Sequence, residues 1–153
     1  MSYVKRVLQP GEIVAHLARL HPIIFLSAIF WFVAALVLLI AALTLSGDLR
    51  IGGEALAAFC ALFAIASVVP AFVQWISTEL AVTDRRVIYK SGLLARHTLE
   101  MNRSKVESVD VDQSLLGRLL GFGTITVRGT GGSLEPIRMI GDPLTFRSHI
   151  TAG

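Results

Sequence analysis

The chain has a single cysteine, Cys60, and it lies inside an apolar run. No disulfide can form within one chain and no thiol cluster is available to a metal, so Cys60 reads as a membrane-facing structural thiol rather than a reactive one. Signatures of catalysis are also missing. Gly121-Phe122-Gly123 and Gly129-Thr130-Gly131-Gly132 are followed by no Lys-Ser/Thr pair and open no helix, so they are turns rather than phosphate loops. No serine lies in a GxSxG context, and no Ser/His/Asp set can be argued. His97 and His149 have no Cys or His neighbour in sequence, which argues against a metal centre. The net charge is only +3, with both signs interspersed, so the basic face that a nucleic-acid partner needs is lacking. The expectation is a protein that is not an enzyme, uses no cofactor or metal and binds no nucleic acid.

What the chain has in excess is apolar length. Over half of its residues are hydrophobic and the mean hydropathy is +0.67, yet the excess is confined to residues 22–76. Ile23 to Leu45 and Ala55 to Ile76 are two runs without a formal charge. At about 1.5 Å per residue each can cross a hydrocarbon core of about 30 Å. This predicts transmembrane helices over about 22–46 and 55–77, joined by a turn through Gly47 to Glu54 in which Gly52 and Gly53 allow a tight reversal. Pro22 suits a first helical turn, and Gly47 suits a left-handed cap. Pro70 removes a backbone donor inside the second helix and is expected to kink it. Ala57, Ala61, Ala64, Ser67 and Ala71 are small residues on one face of that helix, suited to close packing on the first helix or on another copy. The first run is too long for a signal peptide and is read as a retained helix. Residues 1–21 carry Lys5, Arg6 and Arg19 against Glu12, whereas the turn has only Arg50 against Asp48 and Glu54. By the positive-inside rule, both chain ends are cytoplasmic.

Outside the hairpin the pattern changes. Residues 1–9 read as a tail or an amphipathic lead-in, and Pro10-Gly11 as a turn. Glu12 to Leu20 fits a helical stripe through Ile13, Leu17 and Leu20, or equally a strand paired with the later domain. From Thr78 the period becomes two. Strands are expected around 80–82, 87–89, 93–101, 106–111, 123–128 and 134–140. Ser114 is expected to cap a short helix from Leu115 to Leu120 that closes at Gly121. Asp142 and Pro143 are expected to open a last helix with Leu144, Phe146 and Ile150 inward.

Three groups of polar residues are candidates for function. Arg85, Arg86 and Lys90 follow the second span and are lipid-headgroup candidates, each contributing about 1 kcal/mol beside an anionic leaflet; the alternative is that the arginines cap a turn and obey positive-inside topology. His16 and His21 are either polar groups at a membrane boundary or a metal- or proton-sensing pair. Glu107, Asp110 and Asp112 are either a solvated strand face or a cation or basic-partner site.

Several pieces in order resemble a known family. Pro10-Gly11-Glu12 precedes a hairpin of spans, followed by LAVTDRRVIY at 80–89, SKVESVDVDQSLLGRLLGFGTITV at 104–127 and MIGDPLTF at 139–146. This is similar to small bacterial membrane proteins with a bacterial pleckstrin-homology (PH) domain of the second bacterial type. The resemblance implies a partly open β-barrel or sandwich of about seven strands plugged by a C-terminal helix, with no established catalytic residues. The expected organisation is therefore α+β. Residues 1–21 form a cytoplasmic segment that supplies an extra strand to the later domain if Glu12–Leu20 is extended, 22–77 the transmembrane hairpin, and 78–153 a cytoplasmic PH-like antiparallel β-domain. The expected role is a non-catalytic scaffold or interaction module at the inner membrane, with lipids, other membrane proteins or a second copy as partners. A transporter or pore subunit is the rival reading, and only Ser27, Thr44, Ser67 and Gln74 interrupt the runs to support it.

Overall fold

The computed structural model describes residues 3–93, 95–130, 132–133 and 136–151. The chain divides into two compact units, the apolar residues 22–73 and a second unit made of residues 3–21 with 74–151.

In the apolar unit, a 3-10 turn at Pro22–Phe25 leads into α2 (Leu26–Leu43), and α3 runs over Asp48–Ser77. The second helix thus starts about seven residues before its expected position. Asp48 in its first turn complements the helix dipole. Arg50 and Glu54 form a 2.8 Å ion pair one turn apart. Gly53, expected to relax a turn, instead lets the helices touch, since a Cβ there would lie 2.8 Å from that of Ala42. Gly47 takes the left-handed conformation expected of it (φ 62°). The helix continues through Pro70. Ala42 beside Gly53 and Trp31 beside Phe63 (ring centroids 5.2 Å apart) fix an antiparallel pair. The side chains that α2 buries are Ala28, Ala35 and Ala42, at a spacing of seven, while Phe30, Phe32, Val37 and Ile40 face outward.

Among the described residues the other unit holds eight antiparallel strands. One sheet has the order β1 (Val14–Ala18), β2 (Glu79–Thr83), β3 (Arg86–Ser91), β4 (His97–Asn102). In the other, β6 (Phe122–Gly129) pairs with β5 (Val106–Asp112), with the two-residue β7 (Gly132–Ser133) and with β8 (Ile137–Gly141). Glu12–Leu20 therefore contributes a strand rather than a helix, paired to β2 with Ala18 opposite Leu80. The expected sixth strand runs over Ile137–Gly141 among the described residues; Leu134 and Glu135, like Leu94 and Gly131, lie outside them.

β2 is buried on both faces, which is why ELAVT does not alternate cleanly. On one face Ala81 and Ile88 pack against Val4 of α1 (Tyr3–Val7). The N-terminal segment is thus a docked helix. Its first amides, of Tyr3 and Val4, donate to the two carboxylate oxygens of Glu79, each at 3.1 Å. α5 (Pro143–Thr151) lies against β1 and β2 of one sheet and β5 and β6 of the other, with Phe146 and Ile150 buried. Leu144 is exposed, contrary to expectation, because Pro143, Phe146 and Ile150 form the inward stripe. Arg103 satisfies the C-terminal carbonyls of α5, donating to Ile150 O at 2.9 Å and to His149 O.

Candidate functional site

Antiparallel pairing brings Ala18 opposite Leu80, so the chain leaves β1 for the first apolar helix and returns into β2 at one end of the sheet. The other sheet is tied to the same end. Leu20 bridges Ile140, Gly141 N donates to Arg19 O (3.0 Å), and His21 N donates to Met139 O (2.6 Å). The His21 ring lies 5.4 Å from that of Phe122.

One residue, Gly121, separates Phe122 from α4 (Leu115–Leu120). Ser114 Oγ accepts from Gly117 N (3.0 Å), Gly121 closes the helix at φ 76°, and Asp142 N donates to Gly121 O (2.8 Å). The one buried residue of this helix is Gly117, where a Cβ would sit 2.6 Å from Phe122 O. The backbone seats on the strand and the leucines turn outward: Leu115 is 84% exposed, Leu119 81%, Leu116 64% and Leu120 47%. Beside it an open groove of about 370 Å³ is lined by Asp112, Gln113, Phe122, Arg138 and Met139, among others. Nothing in the sequence reading singled out the four leucines, because a Leu-rich helix ordinarily faces a core.

The structure does not bring Arg85, Arg86 and Lys90 together. Lys90 is opposite Glu79, at the end where the apolar helices attach. Arg85 and Arg86 lie at the other end of the β2–β3 hairpin; Arg86 and Lys90 are four steps apart along the strand, about 13 Å. Arg86 is engaged inside the protein. Its Nε and one terminal nitrogen donate to the two oxygens of Glu12 (2.9 and 2.8 Å), and the guanidinium also reaches Glu100 (2.6 Å) and Val7 O (2.8 Å). The Glu12 side chain is fully buried, and also accepts from Thr83 Oγ1 (2.8 Å) and Gln9 N (2.8 Å). These charge-assisted bonds, Arg86 foremost, outweigh desolvation and hold its carboxyl at about 2. Arg85 is exposed beside Asp84 (3.8 Å).

His16 pairs with His149 rather than with His21. Their rings stack at 4.6 Å, with Phe146 edge-on at 6.2 Å. Burial, and then the neighbouring His149, hold His16 below the usual imidazole range. Asp110 is engaged by Arg128 across the strands (3.0 Å), while Asp112 and Glu107 are exposed. Among the described residues, no three His, Cys, Asp or Glu side chains come together to hold a metal ion. Of the helix-packing candidates, Ala57, Ala64 and Ala71 are buried within one chain, and Ala61 and Ser67 are half-buried.

No curated protein and no solved structure matches the chain. A family model described as Bacterial PH domain matches residues 13–152, from just before β1 to the end of the last helix and across both apolar helices. Two features that carried the resemblance in sequence, Glu12 and the Arg86 of LAVTDRRVIY, are one buried ion pair in space. With its two antiparallel sheets, its C-terminal helix packed on both and a match over most of its length, the chain belongs to the bacterial PH domain family.

Proposed function

We propose that this protein is a non-catalytic module anchored in the bacterial inner membrane. Both chain ends are cytoplasmic, and the β-domain serves as a scaffold or interaction surface for membrane proteins or lipid. The observation that carries this reading is the inverted packing of the apolar helices. Small alanines are buried, whereas residues such as Phe30 (64% exposed) and Ile65 (65%) point outward. A soluble core would bury the large side chains; a helix pair in lipid packs through its small ones. Attachment of both helices at one end of one sheet supports a domain held close to the bilayer.

The pore reading is less well supported. Thr44 Oγ1 donates to Ala41 O (2.7 Å) and Ser67 Oγ to Phe63 O (2.8 Å), so these hydroxyls satisfy their own helices rather than line a wet path. The test combines carbonate extraction, reporter fusions at both ends, and photo-crosslinking from exposed positions on β4, an edge strand of its sheet. Retention in the pellet, both reporters cytoplasmic and discrete protein or lipid adducts are expected. Release by carbonate, or ion flux through reconstituted vesicles, would overturn the proposal.

A further inference from the structure

We propose that α4 is a second membrane contact, its leucines seated in the headgroup–acyl boundary of the leaflet where the apolar helices begin and end. The inference rests on the membrane-anchored reading and adds a surface to it.

α4 is folded backwards for a soluble protein. A capped helix with Leu at its first, second, fifth and sixth positions has apolar surface to bury, yet it seats Gly117 on Phe122 O and leaves every leucine at least 47% exposed. Its place in the fold names what covers them. Gly121 ends α4, Phe122 follows, and the Phe122 ring lies against His21, the residue before Pro22. No residue separates His21 from the first apolar segment, and Thr78 alone separates α3 from β2. At no more than about 3.6 Å of reach per residue, this end of the β-domain cannot leave the bilayer surface.

A six-residue helix binds membranes poorly when free. Here the two covalent joints make the contact intramolecular, so modest apolar area suffices. Arg118, exposed on the same helix, can run its stem along the leucines and place its guanidinium among anionic headgroups.

The test uses the full chain in vesicles of phosphatidylethanolamine and phosphatidylglycerol. Cys60→Ala removes the native thiol, and Leu119→Cys carries a nitroxide at a site already 81% exposed, so the fold is undisturbed. Ile13→Cys is the control, 70% exposed at the far end of the sheet, where Ile13 O accepts from Asp84 N. The expected result is that the Leu119 label loses most of its collisions with a water-soluble nickel chelate and gains collisions with oxygen, while the Ile13 label keeps its nickel collisions. Equal nickel access at both sites overturns the proposal. So does dipolar broadening at Leu119 that disappears on dilution with unlabelled chain, which would make a second copy the occupant. Carbonate extraction of the same sample separates the two readings. A wet Leu119 in a retained protein removes this inference alone, whereas release of the protein removes the anchoring as well.

Discussion

Glu12→Gln is the most informative single change in the β-domain. Glu12 has no exposed side-chain surface, and its two oxygens receive the Arg86 guanidinium side-on. The amide keeps the shape but presents an NH₂ to a cation and leaves Arg86, 13% exposed, short of its main counter-charge. Removing one partner of a buried pair costs about 3–5 kcal/mol. Acid titration gives an independent figure. A carboxyl held at about 2 rather than 4.5 favours the folded state by roughly 3 kcal/mol once ionised. The sign follows from which state holds the proton. Between those two values the unfolded chain is protonated and the folded chain is not, so stability is complete above about 4.5 and lost as pH falls towards 2. Amide exchange at Leu80–Val82 and Val87–Ile88, in mild detergent at neutral pH, reads the change. Glu12→Gln should speed exchange there by roughly two powers of ten and flatten the acid loss. The double variant with Arg86→Met should be milder than the two losses added together, because neither charge is then left alone. A change below about fivefold (about 1 kcal/mol) with an unaltered acid limb would refute the assignment.

Four further outcomes are expected. Phe146→Ala, which empties a fully buried site between the sheets, should cost about 3–5 kcal/mol by the same exchange measurement. Gly117→Ala drives a methyl into the Phe122 carbonyl and should cost about 1–3 kcal/mol, read as a lowered melting temperature. His16 is held below its ordinary value, so below about 6.5 the folded domain takes up its proton less readily than the unfolded chain does. Stability should therefore be complete above about 6.5 and fall as pH drops below it, and His16→Gln should weaken that dependence in a series of thermal melts. Glu79→Gln halves the charge-assisted cap on α1, so exchange at Val4 and at the Ala81–Ile88 face beneath it should accelerate while β5 and β6 remain protected.

The elements easiest to read in the sequence were those whose signal is local and long. Two apolar runs, the Ser114 and Gly121 caps of α4 and the β-rich run at Thr124–Val127 could be read because neighbouring residues carry the whole pattern. Long-range pairing was not readable. Glu12 becomes a buried ion only through a residue 74 positions away, and α1 becomes a docked helix only through the Glu79 carboxylate and the Ala81–Ile88 surface. Gly52-Gly53 looked like a reversal because glycine serves both turns and close contacts, and only the position of Ala42 decides between them. The leucines of α4 carried no expectation at all, since a Leu-rich helix announces apolar surface without saying what covers it.

The interleaving of β1 and β2 has a consequence for biogenesis. Val14 and its partner Thr83 are made on either side of both apolar helices, so the first strand emerges from the ribosome long before its neighbour exists. If the helices thread the bilayer as proposed, only a chain that has crossed and returned puts the two strands in the same compartment. A copy that threads once strands them on opposite sides and cannot close its sheet, so completing the domain doubles as proofreading of insertion, and faulty copies stay open to proteases.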